Sequence, residues 1–222
     1  MIIERRYRGP ANSGNGGYSA GLFAQLVDGD AEVTLRVPPP LETPLRVDGT
    51  DVYAGETLVA EVRPTVVELD LPAPVSYGDA LRIEGPADLD HPFPGCFTCG
   101  PEGDGLRLRP TPVGDGRVVA PWRADDAARE LVWASLDCPG AFAVNPSFER
   151  GLCVLGRIAA HIEDVPQPGE ELVVVAWDLG GGDGRRSYAG TALFRGDEPL
   201  AWARATWFSV GEELRDPLPS PA

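Results

Sequence analysis

At 222 residues, with 43% hydrophobic and 24% charged side chains, the chain is long enough to bury a sizeable core as one large domain or two small ones. A net charge of −15 excludes nucleic acid and anionic membranes as partners, because both repel it, and it favours solubility. All 19 basic residues are arginine, so Schiff-base chemistry and a P-loop lysine are excluded as well.

No apolar run reaches the ~18 residues of a membrane span. The opening Met1-Ile2-Ile3-Glu4-Arg5-Arg6 lacks a signal-peptide core. Four cysteines are too few for a disulfide scaffold, and a reducing, cytoplasmic setting is expected. The 27 glycines and 23 prolines fall mostly between candidate strands, as in a β-rich protein with frequent turns.

Residues 2–7 suggest a first strand and residues 8–14 a loop. From 17 to 27, Tyr18, Leu22 and Leu26 share one apolar face and Ala20, Phe23 and Val27 another, which predicts a helix ended by Asp28-Gly29-Asp30. Residues 31–37 alternate, with Val33, Leu35 and Val37 against Glu32, Thr34 and Arg36, and predict a strand stopped by Pro38-Pro39-Pro40. Shorter strands follow at 45–47, 52–54 and 57–63, with turns at Asp48-Gly49 and Ala54-Gly55-Glu56.

The Pro- and acid-rich stretch 64–93 reads as a connection. Cys96-Phe97-Thr98-Cys99-Gly100 then leads into a predicted strand at 106–109, and another strand spans 117–122. Asp125 and Asp126 offer N-cap chemistry for a second apolar helix at 131–144. Pro139 kinks that helix or marks its true first turn. Strands at 154–163, 171–178, 186–195 and 200–210 complete the chain before a Pro-rich acidic tail. The expected division is an N-terminal half at 1–90, a C-terminal half at 91–212 and the tail at 213–222.

A helix followed by several antiparallel strands occurs twice, which defines an α+β architecture. This order resembles the hotdog fold, and the repetition resembles double-hotdog acyl-CoA thioesterase-like proteins. The resemblance implies a tandem hotdog with two central helices, each wrapped by an antiparallel sheet. Asn15-Gly16-Gly17 resembles the His-Gly-Gly that often opens the helix of single-hotdog thioesterases, with Asn in place of His. Asp137 resembles the helix carboxylate of that family. The two features lie in different halves, so a composite site requires the halves to face each other. The resemblance also implies an acyl-CoA or related thioester substrate, no cofactor beyond the substrate's own carrier, and pairing into a homodimer.

Asp137 is the foremost candidate, the single acid in an apolar segment. A carboxylate beside a thioester acts as general base or as nucleophile; the bland alternative is a capping or ion-pairing role. Gly16 and Gly17 would let a carbonyl approach backbone N–H groups at a helix N-terminus, with Asn15 adding a side-chain donor; alternatively, Asn-Gly is simply a turn pair. Trp133, four residues before Asp137, would line an acyl pocket or pack in the core.

Cys96-x-x-Cys99 has the spacing of half a zinc knuckle, and His91 would make a third ligand. Cys138 and Cys153 stand apart in sequence, so a local turn without metal is the expectation. Cys138 reads as a buried, inert thiol, and His161 as a satisfied structural histidine. Two functions remain open: hydrolysis of an acyl thioester, or non-catalytic acyl binding. A hydratase ranks last, because no histidine lies near Asp137 or Asn15 in sequence.

Overall fold

A computed structural model describes residues 1–85, 91–126, 128–146, 151–211, 213 and 215. In chain order the elements are α1 (Gly16–Ala24), β1 (Ala31–Leu35), β2 (Arg46–Asp48), β3 (Asp51–Ala54), β4 (Thr57–Pro64), α2 (Tyr77–Ile83), β5 (Thr111–Pro112) and β6 (Arg117–Arg123). They continue with α3 (Arg129–Ser135), α4 (Cys138–Val144), β7 (Leu152–Ile162), β8 (Glu171–Asp178), β9 (Arg186–Arg195) and β10 (Glu198–Val210).

The strands of the described residues form one antiparallel sheet in the order β2-β3-β4-β1-β7-β10-β9-β8-β6-β5. The expected pair of separate sheets is therefore continuous. The seam is the pairing of β1 with β7, where Ala31 faces Ala160 and Val33 faces Ile158. Joining the sheets there satisfies the ladder groups of two strands that would otherwise be exposed edges.

Period-2 alternation assigns the two faces. On β8, Leu172 and Val174 enter the main core with Phe23, Val33, Trp133, Ile158 and Leu193. Val173 and Val175 point to the other face, against Val119, Ala192, Phe194 and Ala80 of α2. Both faces of β8 are covered, which explains its unbroken apolar run. Stretch 65–76 crosses that outer face, where its carbonyls at Val67 and Ala73 accept from Trp202 Nε1 at 2.8 Å and Arg117 Nη1 at 2.7 Å.

Several predicted elements are corrected. Residues 2–7 do not form a strand; Tyr7 N–H turns back onto the Glu4 carbonyl, closing a 3₁₀ turn at Arg5–Tyr7. The connection contains α2, started by Ser76, whose hydroxyl accepts from Asp79 N–H. Residues 106–109 are not a strand, because Arg107 takes φ 53° and breaks the extended run. Asp125 and Asp126 do not cap α3; the N-cap position is Ala128, without a side-chain cap.

The second apolar helix is two helices, with Pro139 in the first turn of α4. Of the predicted tail at 213–222, residues 214 and 216–222 lie outside the described residues. No helix among the described residues is long and apolar enough to cross a membrane.

Candidate functional site

The site forms where α1 meets the break between α3 and α4. Asn15 is the N-cap of α1. Its Oδ1 accepts from Tyr18 N–H at 2.8 Å, and its backbone N–H bonds the Tyr7 carbonyl at 2.7 Å. That leaves the amide Nδ2 pointing away from its own helix.

Gly17 and Gly21 then present a Cβ-free stripe to α3. A Cβ on Gly17 would lie 2.5 Å from Asp137 Cβ and 2.6 Å from the Trp133 carbonyl oxygen. A Cβ on Gly21 would lie 2.8 Å from Trp133 Cβ. Glycine here is a condition for the two helices to touch.

Asp137 interrupts the second helix. Three carbonyls at the end of α3 take hydroxyl donors, at Val132 and Ala134 in addition to backbone N–H groups. Thr98 Oγ1 donates to Ala134 O at 3.1 Å, Ser135 Oγ to Val132 O at 2.8 Å, and Thr191 Oγ1 to Leu136 O at 2.9 Å. Asp137 occupies the N-cap position of α4 but does not cap it. Its carboxylate crosses instead to α1, where Oδ2 accepts from Gly17 N–H and from Asn15 Nδ2, each at 2.9 Å.

These donors belong to the positive end of α1, which suits a carboxylate. Asp137 is 2% exposed, and its Oδ1 has no hydrogen-bond partner among the described residues. Burial pushes the Asp137 carboxyl up to about 7; the Gly17 and Asn15 donors work against that rise, and Cys96 adds to it.

Asn15, Gly17 and Asp137 are thus brought together as the sequence suggested. Gly17 N–H is directed at the carboxylate. Trp133 is 1% exposed and packs against Gly21 in the core, and lines neither of two cavities. Gly16 abuts the side chain of Leu155.

Three further cysteines' worth of chemistry was less visible. Cys138, isolated in sequence, lies 3.7 Å from Cys96 (Sγ–Sγ), and Cys99 is 3.7 Å from Cys96. The three sulfurs are all within 4.8 Å of one another. Asn15 Nδ2 approaches Cys96 Sγ at 3.7 Å and Cys138 Sγ at 3.9 Å. His91 does not join this group; its Nδ1 accepts from Phe93 N–H at 3.1 Å. Hydrogen bonds from Cys138 and Cys99, and from the backbone at Cys99 and Thr98, hold the Cys96 thiol well below its usual range. Position 138, directly after Asp137, was the available signal.

His161 is paired on both ring nitrogens, with Asp30 Oδ1 at 2.8 Å and Glu163 Oε2 at 3.0 Å, and stacks on Trp202.

A cavity of about 310 Å³ opens beside the start of α1, walled in part by Tyr7, Tyr18, Phe97, Leu106 and Leu131. Tyr7 and Tyr18 stack at 3.7 Å, with Phe97 edge-on to both. A smaller cavity, about 100 Å³, touches His91, Cys99, Arg107, Arg109 and Phe142. Asp137 lines neither.

No protein-family model matches the chain, and no curated protein sequence matches it. Solved structures do match. A proposed thioesterase from Novosphingobium aromaticivorans superposes with TM-score 0.64 at 12% identity, over 95% of this chain and 94% of that one. The acyl-CoA thioesterase II of Mycobacterium marinum gives 0.57 at 12% identity, over 90% of each chain. A hot dog fold protein of unknown function from Alicyclobacillus acidocaldarius gives 0.55 at 14% identity, over 94% of this chain and 91% of that one. The chain has the hotdog fold, and thioesterases are among the proteins that share it.

Proposed function

We propose that the chain is a tandem hotdog thioesterase, its halves at 1–90 and 91–212, hydrolysing an acyl-CoA or related thioester. The single observation carrying this reading is the carboxylate of Asp137 shared between the two helical segments, one oxygen held by Asn15 and Gly17 and the other unpaired among the described residues.

In the mechanism, Asn15 and Gly17 fix the carboxylate through Oδ2. Oδ1 then takes a proton from the water that attacks the thioester carbonyl, or attacks that carbonyl itself to give a mixed anhydride that water hydrolyses. Proton removal makes the water oxygen a stronger nucleophile; collapse of the tetrahedral adduct expels the thiolate. Because Gly17 N–H is engaged by Asp137, the Gly16 side of the turn is the part left to receive the oxyanion. The aromatic wall of the larger cavity, whose rim also carries Arg6, Asp104, Asp125, Asp126 and Glu130, shares Tyr18 with the Asn15 turn and offers an uncharged acyl or aryl group its place. A homodimer and a cytoplasmic setting accompany this reading, by analogy of fold and by the sparse cysteines.

The test is a panel of short, long and aryl acyl-CoA substrates followed by thiol release. Turnover by the wild type that is lost in Asp137→Asn supports the reading; equal turnover by both, or none by either, sinks it. Burial of Asp137 and its absence from both cavities favour a second reading, a non-catalytic acyl-binding hotdog. Tight binding of an acyl-CoA without thiol release would select that one.

A further inference from the structure

We propose that Cys96, Cys99 and Cys138 form a zinc-binding site, with Asn15 as its outer-shell donor. Nothing in the thioesterase reading requires or supplies this site.

The geometry begins with the loop. Cys96-Phe97-Thr98-Cys99-Gly100 closes on itself, with Gly100 N–H bonded to the Cys96 carbonyl at 2.8 Å. A Cβ on Gly100 would lie 2.4 Å from both Cys96 N and Pro94 O, so the turn admits only glycine there.

The third sulfur comes from elsewhere in the fold. The break at Asp137 starts α4 at Cys138 and delivers its Sγ to the loop. Thr98, inside the loop, bonds the Ala134 carbonyl of α3 and fixes the approach.

Distances fit the metal. Zinc–thiolate bonds of about 2.3 Å in a tetrahedron set sulfur–sulfur edges of about 3.8 Å. The two edges at Cys96 are each 3.7 Å. Three soft sulfurs favour zinc over a hard cation such as magnesium or calcium.

Cys96 and Cys99 are buried and Cys138 is half-buried, so the three sulfurs sit inside the fold and not on an open surface.

No fourth His, Cys, Asp or Glu among the described residues joins the three within the same distance, so water or a substrate atom completes the tetrahedron. Asn15 Nδ2 lies against two of the sulfurs and Asp137 Oδ2, so it ties the ligand set to the carboxylate.

The experiment uses the full chain, purified without a metal-affinity step and dialysed against a weak chelator. Elemental analysis is expected to find about one zinc per chain. Replacing zinc with cobalt(II) should give thiolate-to-metal charge-transfer bands and the intense d–d bands of a tetrahedral ion. Both signals should vanish in Cys99→Ser and Cys138→Ser and persist in Cys153→Ser, whose sulfur lies outside the group. Asn15→Ala should keep the spectrum while weakening metal affinity about 10- to 100-fold. A metal-free wild type that also gives no cobalt charge-transfer band overturns the proposal, whatever the serine variants do. An unchanged cobalt spectrum in folded Cys138→Ser does the same. Neither readout involves a thioester, so failure here leaves the hydrolase reading standing, and the reverse holds.

Discussion

The two helical segments follow one sequence pattern and reach different ends. In the N-terminal region α1 runs unbroken from Gly16 to Ala24, carries no acid, and offers glycine where it meets its neighbour. In the C-terminal region the corresponding apolar stretch breaks at Asp137 into α3 and α4. The break turns a helix-interior acid into a carboxylate that reaches across to the first turn of α1. One segment therefore supplies donors and close-approach glycines, the other the acid and Cys138. Neither segment holds the constellation alone, and the asymmetry is what makes a single site.

The most severe way to break this comparison is to remove the charge. Asp137→Asn is expected to lower thioester turnover at least ~100-fold, the scale of a lost general base. Stability should change little, because a side-chain amide keeps an acceptor for Asn15 and Gly17. Steady-state kinetics and urea denaturation separate the two outcomes.

Gly17→Ala attacks the approach itself. The new methyl would collide with Asp137 Cβ and the Trp133 carbonyl, and the expected loss is about 3 kcal/mol, read from the urea midpoint. An unchanged midpoint would mean that the helices part without cost. Asn15→Ala removes the cap of α1 and one partner of the carboxylate together, a loss of about 2 kcal/mol by the same measurement.

Thr191→Val tests whether the break is held from the sheet. It strips the donor from the Leu136 carbonyl at nearly constant volume, an expected cost of about 1 kcal/mol in thermal unfolding. The mildest probe is the seam between regions: His161→Phe keeps the stack on Trp202 and forfeits the Asp30 contact, for about 0.5 kcal/mol.

Much of the site could be read in one dimension. Asp137 stands out because a carboxylate in an apolar run is costly unless used, and Asn15-Gly16-Gly17 stands out because capping chemistry precedes an apolar face. That the same residues meet was an inference from resemblance, since 120 positions separate Gly17 from Asp137. Cys138 could not be grouped with Cys96 and Cys99 along the chain for the same reason: its sulfur is 42 positions from that of Cys96. The strand at 106–109 failed because one residue, Arg107, adopts a left-handed backbone that no pattern announces.

The sequence by itself determined strands β6 to β10, both apolar helical segments and their odd acid, because period and polarity are local properties of the chain. Tertiary structure decided three things. It merged two expected sheets into one through β1 and β7, spent Gly17 N–H on Asp137, and gathered three cysteines around the Asn15 amide. Each depends on which groups are left unsatisfied once the helices pack, and a buried donor or acceptor takes whatever partner the fold brings within reach.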